Sequence, residues 1–232
     1  VASTDPSRNA PTPGAWPDLC TVRCLPSLAA GGDEQPPVLF WNDQGFGDGV
    51  SAWYEALDCG RVGRDFDIYS THGPKYSLGN GLGGRATLQQ IANYGVILYS
   101  SGTLGPPTLS NGDFGSDPGN DLALVDAWLG LGFRGLFLTG DDLAQSLFTS
   151  GTAARAFLTG RMGVDYRDTD VSDDIGGQVA PRVVTTPGSL IDDVERWLAQ
   201  GGCPDLNDFD NVAPIGTGVS LAAFAAPGGI TT

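Results

Sequence analysis

GLFLTGDDLAQSL, residues 135–147, is the stretch on which the fold turns. Gly135 to Thr139 is a short apolar strand, Gly140 a tight turn, and Asp141 and Asp142 open a helix. An α/β protein presents its nucleophile or ligand-binding loop at such a strand-to-helix turn. Here the turn carries two carboxylates and no Cys, Ser or His at its tip. The shape suggests an active site; the chemistry does not.

Working outward, VLFWN (38–42) is a continuous apolar run, the mark of a strand buried on both faces. FDIYS (66–70) and VILYSSG (96–102) read as two further strands. Between the first two, Val50, Trp53, Tyr54 and Leu57 fall at helical spacing, and Gly60 stops the helix. ATLQQIANYG is a short helix with Leu88 and Ile91 inward. DLALVDAWLGLG carries the apolar stripe Leu122, Val125, Trp128 and Leu129. Downstream, DDLAQSLF and GTAARAFLTGRMG are two helical pieces. VAPRVVTTPG reads as an edge strand, because Pro181 lacks a ladder donor. IDDVERWLAQGG reads as a last amphipathic helix with Ile191, Val194, Trp197 and Leu198 inward. The tail holds one more strand, SLAAF, whose open edge would invite pairing with another chain.

Apolar runs alternating with helices predict parallel βαβ units. The expected fold is a three-layer α/β/α flavodoxin-like domain over residues 38–200, with a mostly parallel sheet of about five strands. An irregular, cysteine-tethered leader (1–37) precedes it, and a C-terminal extension (201–232) with an edge strand follows.

The 232 residues carry a net charge of −15, from 27 acids against 12 bases. That disfavours nucleic acid and anionic membranes, whose attraction needs clustered Lys and Arg. No stretch approaches the ~20 apolar residues of a membrane-spanning helix. Of the four cysteines, Cys20 and Cys24 are spaced C-x3-C, while Cys59 and Cys203 stand alone. With one His in the chain, a zinc site would take all four, so two disulfides are the better reading. Cys20–Cys24 with Cys59–Cys203 is the simplest of three pairings. Disulfides point to an oxidising compartment: periplasm, cell surface or medium. A start at Val1 is expected of a processed or excised piece.

In their order, VLFWND, NYGVILYSSG, LVDAWLGLG, GLFLTGDDLA and AFLTGRMGV resemble the class I glutamine amidotransferase-like superfamily. The resemblance covers residues 37–200 and is closest to degenerate versions inside large secreted bacterial proteins. It implies a nucleophilic Cys at the elbow and a later His–Glu pair. The elbow here is Gly140 or Asp141, and no His follows His72. A Cys–His pair is what makes a thiolate at neutral pH, so the resemblance implies the fold without the activity.

Other candidate chemistry is sparse. His72 could act as a general base beside Asp141, with Asp142 as a second carboxylate, giving a hydrolase at the sheet's carboxyl edge. The plainer readings are a loop His bonded to backbone and two acids complementing a helix N-terminus. NGDFGSDPGND offers Asp113, Asp117, Asn120 and Asp121, and DYRDTDVSDD offers Asp165, Asp168, Asp170, Asp173 and Asp174. Such acidic, Gly-rich loops could supply the hard oxygens of a Ca²⁺ site, although neither has EF-hand spacing. Calcium-dependent binding of a surface or carbohydrate is therefore an alternative. The leading expectation is a non-catalytic accessory domain whose partner is the rest of a larger polypeptide or another protein chain.

Overall fold

Four of the apolar runs pair side by side. In the computed structural model, β1 (Val38–Asn42), β2 (Phe66–Ser70), β3 (Val96–Ser100) and β4 (Gly135–Thr139) form one sheet in the order β2-β1-β3-β4, and every pairing is parallel. The structure describes residues 36–44, 50–59, 66–71, 81–102, 108–109, 120–169, 182–192, 196–197 and 209–225. The leader therefore lies outside the described residues, apart from its last two positions.

The register sets Phe40 beside Ile68 and Leu98, and Leu98 beside Phe137. Alternation then puts Leu39, Trp41, Ile97 and Tyr99 on the other face, all at 0–1% exposure. That face meets α2 (Leu82–Arg85), α3 (Leu88–Ile91) and α4 (Asp121–Leu129) through Leu82, Ile91, Leu122, Val125 and Trp128. Of the stripe read from sequence, Leu122, Val125 and Trp128 are buried and Leu129 is partly buried. Gly83 is where α2 meets α4, since a Cβ there would stand 2.5 Å from the Asn120 backbone. On the opposite face, Trp53 of α1 (Val50–Cys59) stacks on Phe40 at 5.0 Å. Of the residues at helical spacing, Leu57 is buried and Tyr54 is 42% exposed.

After β4 the chain forms α5 (Leu143–Thr149), α6 (Thr152–Ala156) and a π-helical turn (Phe157–Arg161). Then come β5 (Val164–Asp168), β6 (Arg182–Thr185), β7 (Arg196–Trp197), β8 (Asn211–Pro214) and β9 (Ala222–Ala225). β8 lies antiparallel to β5, and β6 lies between β7 and β9 in a second antiparallel sheet. The central sheet thus has four described strands. Residues 182–185 belong to neither that sheet nor an edge, because the strand begins after Pro181 and all four residues keep their N–H. Of the amphipathic helix expected from IDDVERWLAQGG, residues 191–192 lie in a turn and 196–197 in β7, and the rest lies outside the described residues. The Asp192 carboxylate accepts the Gly188 N–H across a turn in which Gly188 has φ +75°. A side chain that captures backbone in this way competes with helix. Ile191 is accordingly exposed. Among the described residues no helix is long and apolar enough to cross a membrane.

Candidate functional site

A strand order of β2-β1-β3-β4 puts the topological switch between β1 and β3, whose carboxyl ends frame the usual ligand crevice of an open α/β sheet. Asp43 and Gln44 leave β1 there, Ser101 and Gly102 leave β3, and Thr71 leaves β2. Asp43, Gln44, Thr71, Ser100 and Ser101 are all buried. Buried polar groups require partners, and the chain supplies them. Tyr99 donates its hydroxyl to Asp43 Oδ2 at 2.6 Å, and Gln44 Nε2 donates to Ser100 Oγ at 2.6 Å. Trp41 Nε1 donates to Thr71 Oγ1 at 2.9 Å. Gln44 therefore spans from the end of β1 to the end of β3 and packs over Gly102. Burial, then the charge of Asp43, pushes the Tyr99 hydroxyl well above the usual tyrosine range, so it stays a neutral donor.

The turn after β4 is tied down by backbone. Ser101 N–H donates to Thr139 O at 3.0 Å, and Asp141 N–H donates to Gly102 O at 2.9 Å. These bonds press Gly140 against Ser101. A Cβ at Gly140 would stand 1.8 Å from Ser101 Oγ and 3.1 Å from Ser101 Cβ. The elbow has no room for a side chain because a serine from the neighbouring strand fills it. Ser101 itself is fully buried, and its hydroxyl finds no hydrogen-bond partner among the described residues.

Asp142 takes the N-cap position of α5, yet its side chain makes no capping bond. The cap comes from Asp210, which sequence reasoning missed. Its Oδ2 accepts from Ala144 N–H at 2.6 Å and Gln145 N–H at 3.1 Å. The Asp210 carboxyl is raised to about 6: burial lifts it most, the two amide bonds pull it down, and Asp142 and Asp141 push it up. Asp210 and Asp141 stand at a cleft of about 280 Å³ whose walls include Leu138, Leu143, Leu147, Leu158, Phe209 and Val212. Nothing in the local pattern NDFDN marks Asp210, since its partners are 65 and 66 residues away.

The remaining candidates are not gathered here. Asn120 caps α4, accepting Ala123 N–H at 2.9 Å, and Asp121 Oδ1 accepts Gly83 N–H. Asp165 pairs with Arg167 at 2.9 Å, and the exposed Asp168 accepts Thr169 N–H at 2.7 Å. His72, Asp113, Asp117, Asp170, Asp173, Asp174, Cys20, Cys24 and Cys203 lie outside the described residues, and Cys59 is described only as the end of α1. Among the described residues, no group of three or more His, Cys, Asp or Glu could hold a metal ion. Compared with family models, curated proteins and solved structures, the chain has no significant match.

Proposed function

We propose that this chain is a three-layer, flavodoxin-like α/β/α domain, a degenerate relative of the class I glutamine amidotransferase-like superfamily. Its role is non-catalytic: an interaction or assembly domain of an exported bacterial protein. One observation carries the reading. Of the two elbow positions, Gly140 and Asp141, the first has the volume a side chain would need filled by Ser101 Oγ, 1.8 Å from the Cβ position. The switch-point crevice supports it, since Asp43, Gln44, Tyr99 and Ser100 bond to one another there. Side chains paired in a buried network are poorly placed to bind substrate, because each bond broken leaves an unsatisfied buried group.

The test is turnover by the full chain against chromogenic ester, amide, glycoside and phosphoester substrates, in parallel with Asp141→Asn. No turnover above the no-enzyme rate is expected for either protein. Hydrolysis by the wild type that disappears in Asp141→Asn would overturn the reading and establish a hydrolase at the sheet edge.

A further inference from the structure

Asp210 joins two pieces of chain that are far apart in sequence. It directly precedes β8, and its Oδ2 holds the first two amides available at the head of α5. Phe209 and Val212, its neighbours along the chain, form part of one wall of the apolar cleft, while Leu143 and Leu147 of α5 form part of another. This single carboxyl therefore fastens the seam along which the cleft's walls meet. Its second oxygen, Oδ1, is buried and has no hydrogen-bond partner among the described residues.

Among the described residues, the charges acting on this group are of one sign. Asp141 and Asp142 act on it from the β4–α5 turn. α5 itself has no ionisable side chain. The neighbouring elements commit their cations elsewhere: Arg155 of α6 lies over the Phe148 ring, Arg161 of the π turn pairs with Asp126, and Arg167 of β5 pairs with Asp165. Asp168, also on β5, accepts the Thr169 amide. An ionised Asp210 thus adds a third negative charge and a buried oxygen without a donor. A protonated Asp210 still accepts both amides through Oδ2 and adds no charge to the pair.

We propose that Asp210 is a proton-operated latch: protonated, it locks β8 to the head of α5, and ionised, it loosens that seam and opens the apolar cleft. The sign follows from the folded chain holding this proton more tightly than the unfolded chain. Stabilisation by the proton is complete below the ordinary aspartate range near 4 and is lost as pH rises through about 6.

The experiment uses the full chain between about pH 4 and about pH 8. Carbon-13 NMR follows the Asp210 carboxyl, hydrogen exchange follows the Ala144 and Gln145 amides, and Nile red reports the cleft. The Asp210 midpoint is expected near 6. After correction for intrinsic chemistry, both amides are expected to exchange about tenfold faster at the top of the range, a partly screened share of the tenfold per pKa unit that linkage allows. Nile red emission rises over the same span. Asp210→Asn keeps the acceptor but cannot titrate, so both changes disappear in it. A midpoint near 4, or exchange and dye binding that are flat with pH or respond equally in Asp210→Asn, would overturn the latch. Should Asp210→Asn fail to fold, the double variant Asp141→Asn, Asp142→Asn must lower the Asp210 midpoint; an unmoved midpoint overturns the proposal as well.

Discussion

Gly140→Ala tests the reasoning about the elbow most directly. The new methyl carbon would stand 1.8 Å from Ser101 Oγ, 3.1 Å from Ser101 Cβ and 3.4 Å from Leu143 Cβ. Relieving the first contact requires the hydroxyl to rotate within a fully buried residue whose N–H is held by Thr139 O. Overpacking of this kind costs about 1–3 kcal/mol. Ser101→Ala alone removes a buried hydroxyl that has no described partner, so it is expected to be neutral or to stabilise by up to about 1 kcal/mol. In the double variant only the 3.1 Å carbon–carbon contact remains, and a shift of a few tenths of an ångström relieves it. The two substitutions should therefore couple favourably by about 1–2 kcal/mol. Urea unfolding of the four proteins, followed by tryptophan fluorescence at constant m, measures the coupling. Two results would refute the argument: a neutral Gly140→Ala, or additivity within about 0.5 kcal/mol. Either would mean that the elbow can house a side chain, and the case against a nucleophile there would lose its geometric support.

Three further outcomes follow from the same structure. Asp210→Asn should stabilise the chain at about pH 8 by about 1 kcal/mol, since a two-unit shift is worth about 3 kcal/mol if fully buried and Asp210 is partly solvent-screened; the gain vanishes below about pH 4, and melting curves across that range check it. Gly83→Ala should destabilise by about 3 kcal/mol, because its Cβ meets the Asn120 carbonyl at 2.5 Å and backbone cannot rotate away; denaturant titration reads the loss. Tyr99→Phe removes the 2.6 Å donor from buried Asp43 and should cost about 1–3 kcal/mol at neutral pH, again by denaturant titration.

What could be read from sequence divides by range of interaction. The four parallel strands were legible because each is a short, largely apolar run closed off by polar or Gly-rich sequence, and the Leu122, Val125, Trp128 stripe because helix periodicity is local. The segment from Ile191 carries the same periodicity, yet its described residues, 191–192 and 196–197, form a turn and a strand. There a short-range rival won: the Asp192 carboxylate took the Gly188 amide and closed a turn, and Arg196–Trp197 found a strand partner in Arg182–Val183. The partners of β8 and β9 lie 37 residues or more back along the chain, beyond any window of pattern reading.

The candidate site failed to show itself for a related reason. Two acids at the head of a helix are the ordinary sign of a cap, and Asp142 does occupy that position. Yet the amides of Ala144 and Gln145 turn to Asp210, whose approach depends on β8 pairing with β5. Once Asp210 is in place, Asp141 and Asp142 change meaning, from groups that stabilise a helix dipole to charges that raise a neighbour's proton affinity. The Ser101–Gly140 contact is of the same kind. Neither residue is unusual in its own segment, and only the parallel pairing of β3 with β4 brings hydroxyl and glycine together. Tertiary pairing thus decides both whether the elbow can carry a nucleophile and which carboxyl titrates. The substitutions at Ser101 and Asp210, far in sequence from the turn they act upon, are therefore the more informative ones.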